Sequence, residues 1–208
     1  MTQLPHLEFG FKKLANAGYD KTSDPTDFFP APGAYNCIGW AAHDPHHWWW
    51  PSPYEYWPFW ISPREATVFC FVKTFRWFGY RICDNSRQEF GFEKVALYAI
   101  HNSGHPQAVP SSIQDLHDNW TPTHMARQLP DGSWTSKCGP NEDITHYTLD
   151  ALESYGLAYG SGDEYGRDVL YMKRFILVSL IVRALQHVNW RVQSARSTIR
   201  EKFRRNSI

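Results

Sequence analysis

The chain has 208 residues, carries ten Trp, eleven Tyr and thirteen Phe, and has a formal net charge of zero. That length suits one well-buried domain with appendages and is short for two. The zero hides a division: residues 168–208 hold nine Lys/Arg and two Asp/Glu, a net of +7, and the first 167 residues carry −7. No apolar run approaches the ~20 residues that span a bilayer, and the start MTQLPHLEFGFKK lacks the basic and apolar regions of a secretory signal.

In chain order, Pro25, Pro30 and Pro32 break periodicity, so residues 1–34 are expected to be an irregular N-terminal extension. Asn36 is a strong N-cap residue, and Asp44-Pro45 stops the short helix that follows it. Cys37 therefore sits in a first helical turn, where unpaired N–H groups and the helix dipole favour thiolate. The alternative reading of Cys37 is a small buried core residue.

Residues 46–60, HHWWWPSPYEYWPFW, are too rich in proline for a long helix or a central strand. This run is read as a braced cover over the core or as the wall of a cleft, with Trp40, Trp48, Trp49 and Trp50 as candidate substrate contacts. Ser62-Pro63-Arg64-Glu65 has the pattern of a capping box opening a helix that Gly79 ends. Tyr80 to Cys83 is expected to begin a sheet, and Lys94–Ile100 is the clearest strand.

Residues 101–122 read as a loop-like insertion. Thr123–Leu129 and Ser133–Cys138 flank Pro130-Asp131-Gly132, a hairpin signal. Thr148 is expected to cap a short helix through Ser154, and 156–166 to form a glycine-rich linker. From Asp168 the steps of three and four through Val178, Ile181, Leu185, Val188, Val192, Ala195 and Ile199 predict a long basic amphipathic helix. The expected plan is α+β: an extension (1–34), a core (35–166) with its insertion, and a C-terminal helix (167–208).

The four cysteines have no CxxC spacing, so no metal is expected and no cofactor is indicated; His43, Asp44, His46 and His47 read as a chance cluster. Lacking an export signal, the chain is expected to be cytoplasmic and thiol-reduced.

A cysteine nucleophile needs a base, and His124, opening the first hairpin strand, is the best placed. Cysteine at a helix start, then histidine on an antiparallel strand, then a polar residue, resembles the papain-like order. HMARQLPDGSWTSKCG resembles the histidine hairpin of bacterial NlpC-type amidases and endopeptidases, in which a polar residue follows about a dozen positions after the histidine; here that is Ser136. YNCIGWAAHD, WWWP, EFGFEKVALYA, THMARQL, DGSWTSKCG and EDITHYTLDALES, in order from Tyr35 to Ser154, resemble an uncharacterised and mostly bacterial family. The 101–122 insertion and the basic C-terminal helix depart from that pattern.

What the papain-like resemblance implies is an α+β fold, with the cysteine-bearing helix packed on a small antiparallel sheet, and a cysteine hydrolase acting on an amide bond in a peptide or peptide-like substrate. Cys37 would attack and His124 would carry the proton. Asp143 is the first choice to orient His124, because a carboxylate also stabilises imidazolium. Ser136 and His146 are the alternatives. The Cys37 N–H and the Asn36 side chain would bind the oxyanion. The other reading is a non-catalytic module that binds a peptide or glycan in an aromatic cleft. In either, residues 170–203 would recruit a partner protein or self-associate, in preference to contacting nucleic acid or anionic membrane.

Overall fold

The computed structural model describes residues 3–23, 35–105, 108–155, 164–181 and 184. Its elements are α1 (Pro5–Gly10), α2 (Leu14–Ala17), β1 (Tyr19–Ser23), α3 (Cys37–Ala41), α4 (Val68–Trp77), β2 (Arg81–Cys83) and β3 (Phe92–His101). There follow α5 (Ile113–Asn119), β4 (Trp120–Gln128), β5 (Trp134–Lys137), β6 (Asp143–His146), a 3-10 turn (Leu149–Leu152) and β7 (Arg167–Phe175). The strands form one antiparallel sheet in the order β1-β6-β5-β4-β3-β7-β2. Helices and an antiparallel sheet together make the fold α+β.

Both faces of the sheet are covered, so β3 is apolar on both sides rather than alternating. Val95, Leu97 and Ala99 pack with Met125 under α3, α4 and the aromatic strap formed by residues 46–60. Ala96 and Tyr98 pack with Ala126, Trp134 and Ile144 under α1, α2 and the 3-10 turn. Strand alternation thus divides the molecule into two cores, and a residue's parity decides which core it enters.

The N-terminal region departs from the irregular extension expected of it. Leu4, Leu7, Phe11 and Leu14 are all buried in the second core. Their steps of three and four are a helical signature that the prolines further on obscured. Residues 24–34 lie outside the described residues.

The 101–122 insertion is also more ordered than a loop. Ser112 Oγ accepts the Asp115 N–H at 3.0 Å, starting α5, and β4 begins at Trp120. Similarly, α4 starts at Thr67, whose hydroxyl accepts the Cys70 N–H, and not at Ser62. Arg64, expected inside that helix, instead donates to the Glu55 carbonyl at 2.6 Å.

The largest correction concerns residues 167–175, expected as helix and found as β7 between β3 and β2. Leu170, Met172 and Arg174 alternate inward. The buried Arg174 hides that period-two pattern, because a cation occupies a core position. It is matched by Glu93, which also accepts from Ser179 and Tyr80 and lies 2.8 Å from His43 Nε2. Burial raises the Glu93 carboxyl, but His43, Arg174 and Tyr80 outweigh it and hold the group well below its ordinary value. Helix starts only at 176, with Leu177, Leu180 and Ile181 exposed. Most of the expected seam lies outside the described residues. Among the described residues no helix is long and apolar enough to cross a membrane.

Candidate functional site

The site forms where β4 and β5 part. The two strands pair only at Arg127↔Thr135 and Gln128↔Trp134, next to the turn. Beyond that, α3 packs on both. Trp40 Nε1 donates to Thr135 Oγ1 at 3.0 Å, and the Met125 N–H faces the Cys37 sulfur.

Asn36 holds the start of α3. Its backbone is extended, and its side-chain oxygen accepts the Gly39 N–H at 3.1 Å and the Trp49 N–H at 3.2 Å. Its amide donates to the Trp49 carbonyl at 2.8 Å. The side chain is thereby committed to capping the helix and tying down the strap. The expected oxyanion role for Asn36 is not available, which leaves the Cys37 backbone N–H. Gly39 is required by close approach: a Cβ there would stand 2.6 Å from the His47 carbonyl oxygen and 2.9 Å from that of Asp44.

Cys37 lines a pocket of about 620 Å³, together with Asn36, Thr123 and Tyr165. The strap contributes Trp48, Trp50 and Glu55, and the β5–β6 turn contributes Gly139, Pro140 and Asn141. Of the four tryptophans expected in the cleft, Trp48 and Trp50 line it and the other two do not. Trp40 clamps α3 to β5 beneath Arg127. Trp49 is core, 1% exposed, with its Nε1–H donating to Asp44 at 2.9 Å.

The thiol is not the expected thiolate. Burial pushes Cys37 up to about 11, against the backbone N–H groups of Met125, Ile38 and Cys37 itself. A helix of five residues presents too small a dipole to overcome desolvation.

His124 lies on the second-core face of β4, paired with Tyr98. Its ring stacks on Tyr165 at 4.0 Å and meets the Tyr98 ring edge-on at 5.2 Å. Nε2 is 3.0 Å from Ser136 Oγ, and Ser136 Oγ is 3.0 Å from His146 Nε2. His146 Nδ1 is 2.8 Å from the Thr148 carbonyl oxygen. His124 Nδ1 has no hydrogen-bond partner among the described residues.

Both imidazoles are neutral at neutral pH. Burial, then the neighbouring His146, pushes His124 well below its ordinary value. Burial brings His146 to about 4, opposed by the Thr148 carbonyl. Polarity then follows from one end of the chain. A carbonyl only accepts, so His146 carries its proton on Nδ1 and leaves Nε2 as an acceptor. Ser136 donates to that nitrogen and so accepts from His124 Nε2–H. The tautomers assigned by this network leave His124 Nδ1 as an unprotonated, buried lone pair.

Asp143 takes no part in this chain. It is three positions from His146 on β6 and hence on the opposite face. Its Oδ2 accepts from the Tyr35 hydroxyl at 2.6 Å, and Lys137 Nζ lies 4.0 Å from Oδ1. The residues beside His124 are the two alternatives, Ser136 and His146. Sequence reasoning missed Glu55, Thr123, Tyr165 and the 139–141 turn as pocket residues. They converge through long-range packing, and no local motif marks them.

His43 is taken up by Glu93 and His47 by Asp44. Among the described residues no group of three or more His, Cys, Asp or Glu is arranged to hold a metal.

The fold and pocket define an α+β domain with a helix-capped cysteine set against an antiparallel sheet. The chain belongs to the family described as Domain of unknown function (DUF7689), whose model matches residues 29–173. No curated protein and no solved structure matches it.

Proposed function

We propose that this protein is a papain-like cysteine hydrolase that cleaves an amide bond in a peptide or peptide-like substrate. The reading is supported by the Thr148–His146–Ser136–His124 chain, which leaves His124 Nδ1 unprotonated. His124 packs on the second-core face of β4 and Cys37 in the first core, so the mechanism requires ring and thiol to meet where β4 and β5 part. Because the resting thiol is neutral, attack requires that its proton pass to His124 Nδ1 as sulfur bonds to the carbonyl carbon. The carbonyl electrons move onto oxygen, which the Cys37 N–H binds. The imidazolium returns the proton to the leaving nitrogen as the C–N bond breaks, giving a thioester and an amine. Water, deprotonated by His124, then releases the acid and restores the thiol. Ser136 and His146 fix the tautomer throughout.

The test is turnover of a peptide library by the wild-type protein and by Cys37→Ala and His124→Gln, with folding checked by circular dichroism. Both variants should fold and neither should turn over substrate. Full-rate cleavage by folded Cys37→Ala would end this mechanism.

A second reading, a non-catalytic peptide- or glycan-binding module, is favoured by one observation. The Cys37 thiol is buried and pushed up to about 11, as an inert core cysteine would be. On that reading the pocket binds without cleavage, and Cys37→Ala leaves affinity unchanged.

A further inference from the structure

We propose that the strap side of the Cys37 pocket is a subsite for a cationic side chain, an alkylammonium or guanidinium group. That this group sits beside a scissile amide rests on the hydrolase reading; the cation preference rests on the pocket alone.

The strap holds two indoles and one carboxylate on the same cavity, namely Trp48, Trp50 and Glu55. The backbone fixes them. Trp50 N–H donates to the Tyr56 carbonyl at 3.0 Å and Tyr56 N–H to the Trp48 carbonyl at 3.1 Å, closing the loop. Inside it, Ser52 Oγ accepts the N–H groups of Tyr54 and Glu55, both at 3.3 Å. Trp50 is wedged edge-on against Phe71, at 5.7 Å between ring centres. The Trp50 ring is thus braced against the core.

The charge pattern of the pocket is one-sided. Among the described residues no Lys or Arg lines it, and Glu55 is the one acidic side chain that does. The Glu55 carboxylate has no ion pair or hydrogen bond among the described residues. Two cations bonded to backbone carbonyls of pocket residues are already used. Arg64 donates to the Glu55 backbone carbonyl, and Lys137, behind the 139–141 turn, donates to the Asn141 carbonyl. Of the other polar groups, the Asn36 amide is committed to Trp49 and the Thr123 hydroxyl to the Tyr165 carbonyl at 2.6 Å, and the Asn141 side chain is uncharged. Indole faces attract cations and a carboxylate completes the charge match, whereas an anionic ligand would meet Glu55 without compensation.

The experiment uses full-length Cys37→Ala, so that binding is read without cleavage. Its probes are two acetylated, amidated peptides, one with a central lysine and one with norleucine in its place. Affinity is followed by calorimetry and tryptophan fluorescence. The lysine peptide should bind about tenfold more tightly, and Glu55→Gln, a surface change that leaves the fold intact, should narrow the ratio to about twofold. Equal affinity for the two peptides, a ratio unchanged by Glu55→Gln, or no binding of the lysine peptide at millimolar concentration would overturn the subsite. Wild-type cleavage is scored separately. A lysine peptide bound and never cleaved supports the subsite and counts against the hydrolase; cleavage without lysine preference does the reverse.

Discussion

Alkylation of Cys37 by iodoacetamide should follow an unusually alkaline pH profile. The perturbation is pH itself, read on the wild-type protein by peptide mass spectrometry. A thiol with its pKa at about 11 is ionised at pH 7 to about one part in 10⁴, against about one in 10² at the ordinary value of 9.0. Desolvation alone therefore slows reaction with thiolate about 100-fold relative to an exposed cysteine. The rate should climb about tenfold per pH unit from 7 to 10, with no plateau below pH 10. Cys83, the one cysteine that is not buried, serves as the internal comparison. A Cys37 rate that levels off between pH 6 and 8 would refute the reasoning. It would show a preformed thiolate, and the role of His124 as a base acting in concert with attack would fall.

Gly39→Ala should destabilise the protein by about 1–3 kcal/mol in urea, because its Cβ would meet two backbone carbonyls that cannot swing away; an unchanged midpoint would contradict the packing of the strap on α3. Acid should weaken the fold starting near pH 6.5. The His124 and His146 values lie below that in the folded state, so the unfolded chain binds more protons as pH falls, and stability is lost downwards through about 4. His146 alone accounts for about 3 kcal/mol across that window. A urea midpoint flat from pH 7 to 5 would count against burial of the two neutral imidazoles. Glu93→Gln should cost about 3–5 kcal/mol, since Arg174 would remain buried without its carboxylate. The wild-type Glu93 contribution is present above about pH 4.5 and lost as pH falls below it, because the folded value is depressed. Thermal and urea denaturation of the variant measure the first, and acid titration of the wild type the second.

Local chemistry made half of the site legible. Asn36 capping, the Pro130-Asp131-Gly132 hairpin and the strand from Lys94 are each written within a few residues, and all appear in the fold. Faces and registers were harder. Asp143 was preferred to Ser136 for its charge, yet three residues separate it from His146 on one strand, and parity alone places them on opposite faces. Nothing local shows that β5 leaves β4 after two pairs, or that Tyr165 returns to cover His124. The cysteine's place in the first turn was readable, but its protonation was not. Burial is a property of the whole fold, and here it outweighs the helix start. The missed strand β7 has a related cause: Arg174 looks like a surface residue until Glu93, far away in sequence, is placed beside it.

Catalysis by Cys37 would depend on His124 standing as a neutral base with Nδ1 unprotonated, held by Ser136 and His146. Long-range ¹H–¹⁵N correlation spectra of the histidine side chains report that state directly. At pH 7 they should show His124 as the Nε2–H tautomer with an unprotonated Nδ1, and Ser136→Ala should remove the preference. A proton on Nδ1, or an imidazolium at pH 7, would contradict it.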